Sequence, residues 1–100
     1  MNFYERIYEV VKSIPEGRVM SYGQVGAVLG NVHFAQTVGN ALHVNPSPAD
    51  IPCHRVVRSD GSVSEGYAFG GAAAQRKRLE GEGVCFKSNG KVDMKKYSAL

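Results

Sequence analysis

Apolar side chains recur every three or four positions at the start of the chain, at Phe3, Ile7, Val10, Val11 and Ile14. That spacing lines one face of a helix over residues 2–14. Pro15-Glu16-Gly17 stops it, because proline lacks an amide donor and glycine turns freely. Arg18-Val19-Met20 is too short to assign. Ser21-Tyr22-Gly23-Gln24 then reads as a capping box, with the serine at the cap and the glutamine reaching back to it. The helix it opens places Tyr22, Val25, Val28 and Leu29 on one face. It ends at Gly30-Asn31, which tolerate left-handed backbone angles. A further helix over residues 33–43 turns Phe34, Val38, Ala41 and Leu42 inward. Helix, short glycine-containing turn and helix form a helix-turn-helix at about residues 21–44.

The second half is more broken. Asn45-Pro46-Ser47-Pro48 is a loop with little backbone freedom. Val56-Val57-Arg58 and Ser62-Val63 flank Ser59-Asp60-Gly61 and predict a short hairpin. Val84-Cys85-Phe86 and Lys91-Val92-Asp93 flank Asn89-Gly90 and predict a second. Between them lie a glycine-rich loop over residues 66–71 and a helix over residues 72–82, ended by Gly83. The expected fold class is mainly α with short β hairpins, a winged helix-turn-helix-like single domain over residues 1–100. No apolar run approaches the roughly 18 residues of a membrane span. Glu5, Arg6 and Glu9 interrupt any leader-like pattern. A monomer in the cytoplasm is therefore expected.

Composition is ordinary for a globular chain, with 43% apolar and 21% charged residues. The net charge of +3 says little, but its distribution says more. The first fifty residues carry Arg6, Lys12 and Arg18 against four acidic side chains, and the second half carries nine basic against five. Between Val19 and His54 the one charged side chain is Asp50. Phosphate contacts would thus come mostly from the second half. The outer face of the 33–43 helix presents Gln36, Asn40 and His43 beside the small residues Ala35 and Gly39. Such a stripe can approach a surface closely and hydrogen-bond bases or phosphates. It would equally serve as a plain solvated face.

Cys53 and Cys85 form no metal-ligand spacing, and His33, His43 and His54 are scattered, so neither a metal nor a disulfide is expected. Cys53 sits in Ile51-Pro52-Cys53-His54-Arg55-Val56. A thiol is a weak nucleophile until it loses its proton. His54 can take that proton, directly or through a water, and a carboxylate such as Glu82 could orient the imidazole. A lone cysteine is otherwise a small buried hydrophobe.

These residues resemble the active-site motif of the O6-alkylguanine-DNA alkyltransferases, the methylated-DNA–protein-cysteine methyltransferases. Ile14-Pro15-Glu16-Gly17-Arg18-Val19 and Ser21-Tyr22-Gly23-Gln24 are similar to that family's entry to its helix-turn-helix. Val38-Gly39-Asn40-Ala41-Leu42 with Asn45-Pro46 resembles its recognition helix and asparagine hinge. Leu79 and Glu82-Gly83-Val84 resemble its carboxylate segment. The likeness runs from about Phe3 to Tyr97 and covers the DNA-binding and active-site half, with no N-terminal domain expected. It implies a DNA repair protein that rotates O6-alkylguanine out of the duplex and transfers the alkyl group irreversibly to Cys53. His54 would be the water-mediated base, Glu82 its partner and Asn45 the brace of the Cys53 loop. DNA contacts would come from Tyr22, Ala35, Gln36, Thr37, Gly39, Asn40 and Arg55. Tyr67, Ala68, Phe69 and Gln75 would wall the base pocket. Alkylated duplex DNA is the implied partner, with other repair proteins as conceivable further ones, and no cofactor is needed.

The chain departs from that pattern in places. Gln36 stands where the family places an intercalating arginine. The loop Glu65–Gly71 is about two residues longer. Gln75 stands where a lysine often assists the leaving oxygen. These departures favour an alternative, a non-catalytic alkyltransferase-like lesion sensor. Such sensors typically carry tryptophan at the position of Cys53, and this chain has no tryptophan. A helix-turn-helix regulator fits less well, because direct base reading most often uses arginine and the recognition helix has none. A Cys-His hydrolase would need an oxyanion hole that the sequence does not indicate.

Overall fold

The computed structural model describes residues 1–100. Helix α1 spans Phe3–Lys12, and Asn2 caps it by accepting from the Glu5 amide. Strand β1, Met20–Ser21, leads directly into α2, Tyr22–Val28. The capping box is formed on both sides: Ser21 Oγ accepts from Gln24 N–H at 3.0 Å and Gln24 Oε1 from Ser21 N–H at 2.8 Å. A 3₁₀ turn, Val32–Phe34, precedes α3, Ala35–His43. The predicted 33–43 helix thus begins with a tighter turn, whose end is satisfied by Asn31 accepting from His33 N–H.

Helices α1, α2 and α3 close around Ile7, Val11, Val25, Val38 and Ala41, all fully buried. Phe3 meets Phe34 edge to face, with centroids 5.0 Å apart, joining the start of α1 to the start of α3. Gly26 lets the α2–α3 turn fold back tightly, since a Cβ there would lie 2.7 Å from the Asn31 carbonyl oxygen.

The mainly helical class holds, but the β component pairs differently. Strand β2, Val56–Val57, follows a 3₁₀ turn over Cys53–Arg55. It pairs in parallel with β1, Met20 opposite Val56 and Ser21 opposite Val57. The predicted hairpin with Ser62–Val63 is reduced to a turn closed by two bonds, Arg58 N–H to the Ser62 carbonyl and Gly61 N–H to the Arg58 carbonyl. The physical reason is burial on both faces, the usual setting of parallel pairing. Val56 and Met20 face the helical core, while Val57 joins a second core with Val19, Leu79, Val84 and Val92. The second predicted hairpin reduces to a single antiparallel bridge, Phe86 to Val92.

Helix α4, Gly71–Gly81, ends just before Glu82. A last short helix that the pattern did not predict, α5 over Met94–Tyr97, returns the chain to Val19, whose amide donates to the Tyr97 carbonyl. No helix is long and apolar enough to cross a membrane.

Candidate functional site

Just past α3, the buried Asn45 bridges its own loop. Its Nδ2 donates to the Ile51 carbonyl at 2.9 Å and its Oδ1 accepts from Ser47 N–H at 2.9 Å. This closes the Pro46–Asp50 excursion and delivers the chain to the 3₁₀ turn that carries Cys53 and His54. Both side chains are buried, 4% and 3% exposed.

Glu82, beyond the end of α4, gathers the other side of the site. Its Oε2 lies 2.7 Å from His54 Nε2 and 2.8 Å from Arg55 Nη2. Its Oε1 accepts from Arg55 Nε at 3.0 Å and from the Gly17 amide at 3.2 Å. Arg55 also donates from Nη1 to the Ile14 carbonyl at 2.8 Å. His54 Nδ1 is buried and has no hydrogen-bond partner. Because Nε2 faces a carboxylate, the neutral ring carries its proton there, and Nδ1 keeps a free lone pair.

Burial pushes the Cys53 thiol up, against the opposing pull of Asn45 and the positive Arg78. Burial also draws His54 down, more than Glu82 raises it. At neutral pH the pair therefore rests as thiol and imidazole, with His54 able to accept. Burial works against ionised Glu82 as well, but the bonds from Arg55, His54 and Gly17 outweigh it and hold its pKa at about 2.

In front of Cys53 is a cavity of about 20 Å³, walled by Tyr22, Gly39, Leu42, His43 and the Gly66–Ala68 stretch. That volume suits a single water rather than a purine. It adjoins an open groove of about 570 Å³ that includes Tyr22, Gly39 and His43 together with Ala35, Gln36 and Asn40. Arg58, Ser64 and Gly66 form the facing wall.

The structure thus brings Cys53, His54, Glu82 and Asn45 into one cluster, and Tyr22, Ala35, Gln36, Gly39 and Asn40 onto one groove. Tyr67 and Ala68 wall the cavity. Four expected site residues lie elsewhere. Gln75 is 1% exposed and does not line the cavity. Its Oε1 accepts from Ser64 N–H at 2.8 Å, and its Nε2 donates to the carbonyls of His54 and Val56. It braces backbone because an amide can accept on one side and donate on the other. Arg55 is bound to Glu82 and Ile14, so its guanidinium is not free for DNA. Phe69 is 38% exposed and stacks edge to face on Tyr67 outside the cavity. Thr37 faces neither groove nor cavity.

Leu42 and Ser64 were not among the expected site residues, whereas Gly66 belongs to the expected pocket loop over residues 66–71 and Arg58 to the basic second half expected to meet phosphates. No sequence signal marks Ser64, whose amide is held by Gln75 Oε1, while Arg58 follows directly on β2. His43 was legible as part of the α3 stripe.

The family model described as 6-O-methylguanine DNA methyltransferase, DNA binding domain, matches residues 2–84. The chain is 42% identical over 78 residues to the mouse methylated-DNA–protein-cysteine methyltransferase, covering 78% of this chain but 36% of that protein. It therefore spans about a third of that relative's length. It is 36% identical over 98 residues to the DNA base-flipping protein of Escherichia coli, covering 96% of this chain and 73% of that protein. Among solved structures it superposes on Schizosaccharomyces pombe Atl1 in complex with damaged DNA containing O6-carboxymethylguanine. The TM-score is 0.84 at 33% identity, over 98% of this chain and 94% of that one.

Proposed function

Since the chain belongs to the 6-O-methylguanine DNA methyltransferase DNA-binding-domain family, we propose that it binds duplex DNA, takes an O6-alkylated guanine out of the stack and accepts the alkyl group on Cys53. We read residues 1–100 as one such unit, with the helix-turn-helix at about residues 21–44. One observation carries the proposal: the Cys53 cavity shares Tyr22, Gly39, His43 and Gly66 with the α3 groove, and the residue next to Cys53 in the same turn, His54, is paired with Glu82.

In this reading α3 lies against DNA, with Ala35 and Gly39 admitting close approach and Gln36 and Asn40 offering amides. Gln36 fills the gap left by the rotated base. Arg58 on the facing wall meets a phosphate. Rotation costs a few kcal/mol, less for a damaged or mispaired base. The cavity widens by movement of the Gly66–Ala68 wall. His54 Nδ1 takes the thiol proton, through a water where direct contact is lacking, and Glu82 stabilises the imidazolium. The thiolate then attacks the alkyl carbon in line. A sulfur–carbon bond forms and the carbon–O6 bond breaks. The electron pair goes to the purine, which takes a proton from solvent. The thioether is permanent, so each molecule acts once.

A second reading is a lesion sensor whose thiol stays idle. It is favoured by the burial that opposes ionisation of Cys53. One measurement separates them: the intact mass of the protein after incubation with a duplex containing O6-methylguanine. Gain of one methyl group, mapped to Cys53 and absent in Cys53→Ser, supports transfer. Tight lesion binding with no mass change leaves the sensor.

A further inference from the structure

The cations around Cys53 are not equivalent. Arg55 follows it closely in sequence but spends its guanidinium on Glu82 and the Ile14 carbonyl. Arg58 stands on the outer groove. Arg78 reaches from α4 to the cavity wall itself. Its Nη1 donates to the Tyr67 hydroxyl at 2.9 Å, and Tyr67, 8% exposed, shares the cavity with Cys53.

We propose that Arg78 is a positioning residue for the Cys53 site: by its bond to the Tyr67 hydroxyl it fixes the cavity wall against the sulfur and keeps a guanidinium at that wall. Its influence on transfer rests on the alkyl-acceptor reading above; its influence on the thiol does not.

The other groups facing this sulfur carry no permanent positive charge. Helix α1 offers Tyr8, α2 offers Tyr22, and the wall offers Tyr67; burial raises the pKa of all three, so they stay neutral. His43 shares the cavity from α3. His54, in the same turn, is held neutral by burial. Behind it Glu82 and Arg55 form a mutually compensating pair. Arg78 therefore remains as the standing positive charge, and its effects on Cys53, His54 and Tyr67 agree: each favours the less protonated form. A hydroxyl that accepts from a guanidinium also keeps its own hydrogen to donate. Holding Tyr67 and biasing the sulfur are thus two results of one contact.

The test reads the thiol without DNA. In a Cys85→Ser background Cys53 is the sole thiol, and its alkylation by iodoacetamide is followed by mass against pH. The thiolate attacks carbon and iodide leaves. The pH midpoint carries the test, because loosening Tyr67 also changes access and hence the absolute rate. Arg78→Gln should raise that midpoint by about half to one unit. Arg78→Lys should keep most of the charge effect, and Tyr67→Phe should give a smaller upward shift. Arg76→Gln, on the same helix but stacked on Phe86, should give none. An unmoved midpoint in Arg78→Gln, or an equal shift in Arg76→Gln, overturns the proposal. The same variants are then offered an O6-methylguanine duplex. If the parent protein gains no methyl while Arg78→Gln still moves the thiol midpoint, the transfer reading falls and the role of Arg78 stands.

Discussion

Glu82 is the side chain where three separated parts of the chain meet: the turn after α1, the Cys53 turn and the end of α4. Its pKa drops from an ordinary 4.5 to about 2. A depressed carboxylate stabilises the fold above its unfolded pKa, and the gain is lost as pH falls through the folded value. His54 behaves alike, since burial lowers it from 6.5. Its share is complete above pH 6.5 and declines below. Urea unfolding against pH should therefore show two losses, one setting in below about pH 6.5 and one between about pH 4.5 and 2. In Glu82→Gln the lower loss should shrink to what remains from Asp60, which hydrogen bonds from Ser62 and the Lys91 ammonium also hold below the ordinary carboxylate range. Stability at pH 7 should also fall by about 3 kcal/mol, because Arg55 and His54 keep their burial and lose their anion. A lower window of undiminished size in this variant would place the acid sensitivity elsewhere. Gln75 makes a parallel case with neutral groups. Gln75→Ala strands the carbonyls of His54 and Val56 and the amide of Ser64, and should cost about 2–4 kcal/mol in chemical denaturation. A loss below about 0.5 kcal/mol would mean these groups find other partners. Sequence reasoning put Gln75 in the base pocket because its place in the helix pattern matched a pocket residue of the family. Only the fold shows that its amide turns toward backbone.

At the scale of elements, the helix-turn-helix depends on how closely α2 and the Val32–Phe34 turn approach. An alanine at Gly26 would push its Cβ to 2.7 Å from the Asn31 carbonyl, with Phe34 Cβ at 3.3 Å. Backbone cannot yield there cheaply, so Gly26→Ala should cost about 1–3 kcal/mol and lower the melting temperature. Ser21→Ala, which removes one half of the capping box, should cost about 1 kcal/mol. Equal or higher melting temperature in Gly26→Ala would show that the turn has slack. The helices were readable because Phe3-Ile7-Val11 and Phe34-Val38-Ala41 repeat over successive turns, a period that suits a helix and no strand. Val56–Val57 was readable as a strand, but its partner was not. Met20–Ser21 and Val56–Val57 are two residues each, too short for alternation to show, and a parallel partner leaves no hairpin signal between them. Helix α5 is a single turn starting after Asp93, with no apolar period to reveal it. The same difference divides the site: residues on α3 were legible as a face, whereas Arg58 follows β2, whose parallel pairing the sequence does not announce, and Ser64 is held by the hydrogen bond from its amide to Gln75.

Over the whole molecule, charge and shape are distributed unequally. The groove that we assign to DNA is formed by α2 and α3, which carry no Lys or Arg, against a wall whose one cation is Arg58. The lysines gather around the second core instead: Lys87 and Lys95 beside the turn at Ser59–Asp60, and Lys91 paired with Asp60 at 3.1 Å. A duplex seated on the groove thus meets few phosphate-neutralising side chains, and counterion release should contribute little to binding. Log affinity for undamaged duplex against log salt should have a shallow slope, and Arg58→Gln should reduce its magnitude by about 1. Lysine-to-glutamine changes at Lys87 and Lys95 should leave the slope alone. Lesion preference should survive Arg58→Gln, since selection for the damaged base resides in the cavity rather than at the phosphates. If the slope were steep and fell with the lysine substitutions instead, the duplex would lie across the second core. The Cys53 cavity would then open away from DNA, and the two surfaces that the fold joins at His43 and Gly39 would have to serve different ligands.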